Sequence, residues 1–150
     1  MLSTKHTLAI TACLFLPLAG GAFEKSDPVN HNRKGIAIQG YDPVAYFTDS
    51  RPVKGDSKFT FSWRGATWQF ASAEHRDVFA KDPEQYAPQY GGYCTYGVSE
   101  KHTVDIDPEA WKIIGGKLYL NYDKRVQQLF LKEPEERIRR AEQNWPDLHK

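Results

Sequence analysis

The chain has 150 residues, of which 40% are hydrophobic, and its 20 lysines and arginines nearly balance its 19 aspartates and glutamates. A chain so close to neutral has no electrostatic footprint for nucleic acid or for an anionic membrane surface, so neither is expected as a partner. The length suits one domain with a hydrophobic core better than two.

The first 22 residues are typical of a secretory signal peptide. Lys5 precedes the apolar run Leu8 to Leu18, and small residues for cleavage follow, so we predict a cut after Ala22. The run has about 11 residues, well short of the roughly 20 that cross a bilayer, so no stable membrane insertion is expected after cleavage. These features predict a periplasmic or secreted protein, with an uncleaved N-terminal anchor as the alternative.

Residues 23–34 are polar and lack periodicity, which predicts a flexible leader before a domain that spans residues 35–150. Ile36 and Ile38 alternate with small or polar neighbours, as in a short strand. Asp42 then precedes Pro43, a pair that favours a capped helical turn.

Two β-hairpins follow, each marked by turn residues between aromatic or aliphatic strands. The first turns at Arg64-Gly65 and the second at Gly115-Gly116. Between them, Ser72 is placed to cap a helix that runs to about Lys81, and a further helical turn follows it. After the second hairpin, Asp123 is placed to cap another helix, which Pro134 ends. The predicted fold class is α+β, with a small antiparallel sheet built from hairpins, short helices, and a charged C-terminal helix over residues 135–144.

Cysteine use limits the redox chemistry of the exported chain. Cys13 lies in the signal peptide, so the mature protein keeps only Cys94 and has no internal disulfide. A lone thiol in such a domain is a small buried apolar group, a ligand or nucleophile, or a link to another chain. Gly91 and Gly92 come shortly before it, which permits a close backbone approach and favours a thiol that lines a cleft.

A spaced motif begins with Asp42-Pro43-Val44 and continues as Trp68-x-Phe70-Ala71-Ser72-x-x-His75-x-x-x-Phe79-x-x-x-Pro83-x-x-Tyr86. This pattern resembles the YHS domain family, and the wider chain is similar to the exported branch of that family. The resemblance implies metal association, by analogy with related cysteine-rich modules. It also implies thiolate ligands at three positions, which are Ala45, Ala71 and His75 in this chain. Two methyl groups cannot bind zinc or copper, so a closed thiolate cage is not expected.

The remaining candidate metal ligands are Cys94, His75 and His102, with copper or zinc as the candidate ions. The tyrosines around Cys94, namely Tyr90, Tyr93 and Tyr96, are candidates for the wall of a small-ligand pocket, and core packing is the competing interpretation.

Three functional interpretations stay open on the sequence. The first is an exported non-catalytic binding module that contacts a transition metal through a reduced ligand set. The second is a small thiol-dependent redox protein or enzyme that uses Cys94. The third is a structural or interaction domain with an inert thiol, whose charged C-terminal helix meets a protein partner.

Overall fold

The structure is a computed structural model, and it describes residues 24–150. The predicted signal peptide, residues 1–22, lies outside the described residues. The strands are β1 (Asp56–Trp63), β2 (Ala66–Phe70), β3 (Asp107–Ile114) and β4 (Lys117–Asn121). The helices are α1 (Ala45–Thr48), α2 (Ala73–Lys81), α3 (Pro83–Tyr86), α4 (Thr95–Ser99), α5 (Lys124–Lys132) and α6 (Pro134–Leu148).

Both predicted hairpins are present, and the fold class is α+β. Strand β1 pairs antiparallel with β2 through a turn at Arg64-Gly65, and β3 pairs with β4 through Gly115-Gly116. All four turn residues have φ between +49° and +75°, as the tight turns of two-residue hairpin loops require. The hairpins form two separate two-stranded sheets, however, and not one small sheet.

Strand β4 separates two apolar clusters because it is buried on both faces. Leu118 and Leu120 point into the larger cluster, together with the aromatic side chains of the first hairpin. Tyr119 points the other way and packs on Phe130 of α5, with ring centroids 5.9 Å apart. Phe79 of α2 closes the larger cluster from the side of the first hairpin.

The helix caps follow the sequence closely. The Ser72 hydroxyl accepts a hydrogen bond from the His75 backbone N–H at the start of α2. Asp123 does the same for Val126 at the start of α5. Such side chains satisfy N–H groups that have no partner inside the helix, which explains why both starts were predictable.

The structure corrects the expected flexible leader. Val29 is only 1% exposed, the Asn30 N–H donates to the Gly91 carbonyl at 2.8 Å, and Ser26 bridges to His149 near the end of the chain. Residues 26–31 are therefore packed against the domain. A single apolar residue among polar neighbours has no periodicity, so the sequence pattern did not reveal this contact.

Two further local expectations were wrong. Ile38 has φ of 38° and lies in a tight turn, while Ile36 makes only one isolated bridge to Thr67, so the short strand is absent. The C-terminal helix also continues through Pro146 to Leu148, beyond the predicted end at Asn144. No helix within residues 24–150 is long and apolar enough to cross a membrane.

Candidate functional site

The three positions at which the family resemblance implies thiolates meet at one buried carboxylate. Asp42 is 0% exposed, and its Oδ1 accepts hydrogen bonds from the backbone N–H groups of Val44 and Ala45 at 2.8 and 3.2 Å. Its Oδ2 accepts from the Ala71 N–H at 2.9 Å and lies 2.6 Å from Nδ1 of His75. A carboxylate thus connects the start of α1, the end of β2 and the first turn of α2.

These four contacts are what a buried carboxylate needs. Removing such a group from water is costly unless hydrogen bonds or an opposite charge compensate for the lost hydration. Asp42 has three backbone donors and one imidazole donor. The sequence predicted only its capping role, since the Ala71 and His75 contacts depend on the tertiary fold.

His75 is oriented by this carboxylate. The Ser72 hydroxyl caps the start of α2 by accepting from the His75 backbone N–H. The contact to Asp42 then fixes the imidazole ring. Because a carboxylate accepts, Nδ1 carries the hydrogen and Nε2 is the other ring nitrogen. Nε2 of His75 lies 3.3 Å from Oγ1 of Thr48. The His75 side chain is 18% exposed. The second nitrogen is therefore partly accessible from solvent.

The neighbour of Nε2 is itself held by another group. The Thr48 hydroxyl donates to Oδ1 of Asp49 at 2.7 Å, and this hydrogen bond brings an exposed carboxylate to the same place. Thr48 Oγ1 also lies 3.3 Å from the Val44 carbonyl oxygen, so its one hydrogen has two acceptors besides the imidazole. A nucleophilic hydroxyl would instead donate to the base that activates it.

The donor set does not fit a closed metal cage. Ala45 and Ala71 supply only backbone N–H groups at this point, and both of these donate to Asp42. Within residues 24–150 no group of three or more histidine, cysteine, aspartate or glutamate side chains is placed to hold a metal ion. A structural zinc site takes four protein ligands, so one oriented imidazole fits only an open, exchangeable contact.

Cys94 lies in a closed environment at the start of α4, next to the end of β4. It is 1% exposed and does not line a cleft, contrary to the expectation from the neighbouring glycines. Its Sγ accepts from the N–H groups of Gly97 at 3.4 Å and Tyr122 at 3.3 Å, and donates to Oδ1 of Asn121 at 3.8 Å. Burial raises the pKa of the thiol, and the backbone hydrogen bonds from Gly97, Tyr122 and Tyr96 oppose this only partly. The thiol is therefore protonated at neutral pH and shielded from reagents.

The predicted metal ligands do not form one cluster. His102 is exposed, its Nδ1 lies 3.1 Å from the Glu100 carbonyl, and its ring borders Gly97 beside α4. The hydrogen-bonding partners of His75 are Asp42 and Thr48, whereas those of the Cys94 side chain are Gly97, Asn121 and Tyr122. Metal binding by any of the three residues remains a prediction.

The three candidate tyrosines also have different surroundings. The Tyr90 hydroxyl donates to the Ile138 carbonyl at 3.3 Å, and the Tyr93 hydroxyl to the Val29 carbonyl at 3.5 Å. Tyr96 packs under the guanidinium of Arg137, 4.3 Å from the ring centroid. Burial raises the pKa of both Tyr90 and Tyr93, as expected for packed phenols. Only Tyr90 borders the open groove described below.

Comparison with known proteins supports the motif and adds no second relative. Curated proteins and solved structures gave no significant match. Residues 44–90 match the family model of the YHS domain. This segment runs from the residue before α1 to the turn before Cys94, so it includes His75 and excludes Cys94. Residues 44–90 are therefore similar to the YHS domain.

Proposed function

We propose that the protein is an exported, non-catalytic binding module that contacts a transition-metal ion, copper or zinc, through His75. One observation carries this proposal: a buried carboxylate lies 2.6 Å from Nδ1 of His75, a residue at which the family resemblance implies a ligand. Histidines that bind metals typically donate their other ring N–H to a carboxylate or carbonyl in this way.

The contact would be weak and exchangeable. His75 supplies one nitrogen, and Asp49 is the carboxylate that the Thr48 hydrogen bond brings to the same side. Imidazole suits both zinc and copper, and an added carboxylate oxygen favours zinc over copper(I). Bound there, the metal would supply a positively charged centre with open positions. Because the ion competes with a proton for Nε2, its affinity should rise with pH.

The non-catalytic part of the proposal rests on the two groups that could act as nucleophiles. Cys94 is buried and its pKa is raised, and the Thr48 hydroxyl is committed to Asp49. The burial of Cys94 weighs against the thiol-dependent alternative.

The test is metal binding by protein recovered from the periplasm, measured by calorimetry with zinc and with copper(II). His75→Ala should lower the affinity at least about tenfold, which is the loss of about 1.4 kcal/mol of binding free energy. His31→Ala is the matched control, because His31 is also paired with an aspartate, Asp27, but its other ring nitrogen lies 2.9 Å from the Asn32 carbonyl. Equal binding by the wild type and His75→Ala would refute the proposed metal contact.

Export is tested separately by cell fractionation and by the intact mass of the mature chain. A periplasmic or secreted product that begins at Phe23 is expected. A cytosolic product with residues 1–22 retained would contradict this part of the proposal.

A further inference from the structure

A second surface lies beside the turn of the first hairpin and the start of β4, and its residues suit a small-molecule site. We infer that it binds a small organic anion with a flat apolar face. We call this surface the tryptophan groove and define it by Trp63, Arg64, Tyr90, Lys117 and Trp145. The inference does not depend on metal binding.

The tryptophan groove has a volume of about 350 Å³ and continues past Trp145 into a second recess bordered by His149 and Lys150. Ligand pockets usually enclose roughly 300–1,000 Å³, so the groove suits a ligand of one or two rings. The turn of the first hairpin, the start of β4, the turn after α3, the docked N-terminal segment and α6 contribute to its walls. Segments from the whole length of the described chain therefore meet at this one place.

The floor of the groove is fixed by packing. Trp68 is buried, and its indole N–H donates to the Trp63 carbonyl at 3.2 Å, while the Tyr90 hydroxyl is held by Ile138. Gly91 has φ of 63° and lies so close to Pro28 that a Cβ there would come within 2.0 Å of the Pro28 carbonyl oxygen. The N-terminal segment is therefore seated tightly along one wall. A preformed floor lowers the entropic cost of binding.

Two tryptophan rings give the groove flat apolar faces. Trp63 is half-buried and packs on Trp68 with ring centroids 5.9 Å apart. Trp145 is also half-buried and stacks on His149 at 4.2 Å, with an angle of 13° between the planes. Neither indole N–H donates to another group within residues 24–150, so both donors are available to a ligand. Planar ligands favour such stacked or edge-on contacts.

The charges along the groove favour an anion. Arg64, Lys117 and Lys150 border the two recesses, and Glu84 is the carboxylate among the lining residues. Lys150 is paired with Asp27 at 3.2 Å, so Lys117 is the main positive charge offered to a ligand. Among the described residues no carboxylate forms an ion pair with Lys117, whereas Arg64 pairs with Glu84 at 2.6 Å. Both members of that pair are exposed, and such pairs contribute little. The Arg64 guanidinium also lies over the Trp63 ring, 4.3 Å from its centroid, so a ligand that contacts this ring meets the guanidinium as well. A neutral ligand would form no ion pair with Lys117 or Arg64.

The test uses 2-naphthoate as the probe and the neutral 2-naphthalenemethanol as its uncharged counterpart, with a chelator present throughout. The chain has four tryptophans, so the four indole N–H signals in a proton–nitrogen NMR spectrum report binding residue by residue. Naphthoate should shift the signals of Trp63 and Trp145 and leave that of Trp111 unchanged, because Trp111 lies on a different surface. The neutral probe should bind at least about tenfold more weakly, and added salt should weaken naphthoate binding.

Lys117→Gln supplies the sharper control, since Lys117 is exposed and its loss should not unfold the protein. We expect naphthoate affinity to fall about three- to tenfold in Lys117→Gln and to be unchanged in Lys112→Gln, an exposed lysine of the same hairpin outside the groove. Three results would overturn the inference: no shift of the Trp63 and Trp145 signals, equal affinity for both probes, or equal affinity of the two lysine variants.

Discussion

Asp42 and Cys94 play the same local structural role, but their surroundings allow different chemistry. In both, one side chain at a helix start accepts hydrogen bonds from several backbone N–H groups. Asp42 also contacts the imidazole of His75, which reaches the surface. Cys94 instead contacts the side chain of Asn121, which is fully buried. The first arrangement can present a ligand atom to solvent, and the second cannot.

The two regions also differ in how completely their polar atoms are satisfied. Both oxygens of Asp42 have partners, but the Asn121 side-chain nitrogen and the Thr95 hydroxyl, both buried near Cys94, have none within the described residues. A buried polar atom without a partner is costly. Stability is therefore expected to depend more on Asp42 than on Cys94.

The largest effect is expected from Asp42→Ala. The substitution removes the acceptor of three backbone N–H groups and the partner of His75, so unfolding should become easier by about 3–5 kcal/mol. Urea denaturation monitored by tryptophan fluorescence measures this change. Asp49→Asn is the control, because Asp49 is exposed, and it should cost less than about 1 kcal/mol. Equal effects of the two substitutions would show that the buried carboxylate is not a structural centre.

Cys94→Ala comes next, at about 2 kcal/mol. It leaves the N–H groups of Gly97 and Tyr122 without their acceptor and opens a small gap in the core. The same urea measurement applies. In the native wild type, the thiol should also react with iodoacetamide only as fast as the region opens. Rapid alkylation of the folded protein would reverse the comparison and favour the thiol-dependent interpretation.

His75→Ala should cost less, about 1–2 kcal/mol, because Asp42 keeps its three backbone donors. The loss should be smaller than that in Asp42→Ala under identical conditions. The free energy of unfolding of the double variant should lie within a few tenths of a kcal/mol of that of Asp42→Ala, since the two side chains act as one unit. Additive losses would show that His75 is held by something other than Asp42.

The smallest effect is the dependence of stability on alkaline pH. Since burial raises the pKa of Cys94, the folded state holds the thiol proton more tightly than the unfolded state does. This contribution is complete below the unfolded pKa, about 8.5, and is lost as pH rises through the folded value. The stability difference between wild type and Cys94→Ala should therefore narrow above about pH 8.5, as urea titrations at several pH values would show. A difference that stays constant to pH 11 would mean that the thiol pKa is not raised.

The phenols continue this trend at still higher pH. Burial raises the pKa of Tyr46, whose hydroxyl donates to the Pro108 carbonyl at 2.9 Å, and that of Tyr90. Both residues are present in wild type and in Cys94→Ala, so their contribution cancels in the comparison.

The sequence predicted the elements whose signals are local. Glycine pairs, capping residues and alternating aromatic residues suffice to place both hairpins, the start of α2 and the start of α5, because turn and cap preferences act over a few residues. The motif also predicted His75 as a metal ligand, which stays a prediction. Helix α4 was missed, since Thr95 to Ser99 is short and has no oxygen-bearing cap.

The features that decide the chemistry depend on contacts between residues far apart in the chain, so they could not be predicted from the sequence. Asp42 and His75 are 33 residues apart, and the Cys94 thiol is closed off by Tyr122, which is 28 residues away. Pairing of this kind follows from how the hairpins pack and leaves no periodic trace. A buried aspartate before proline has one visible local role, which is capping, and its tertiary role becomes apparent only when α2 is placed.

The most direct test of the central claim is the protonation pattern of the His75 ring, measured by long-range proton–nitrogen NMR during a zinc titration. We expect Nδ1 to carry the hydrogen that is donated to Asp42, and zinc to shift or broaden the Nε2 signal while the signals of the control His31 change less. A ring protonated only at Nε2, or an Nε2 signal that does not respond to zinc at any concentration the protein tolerates, would contradict it.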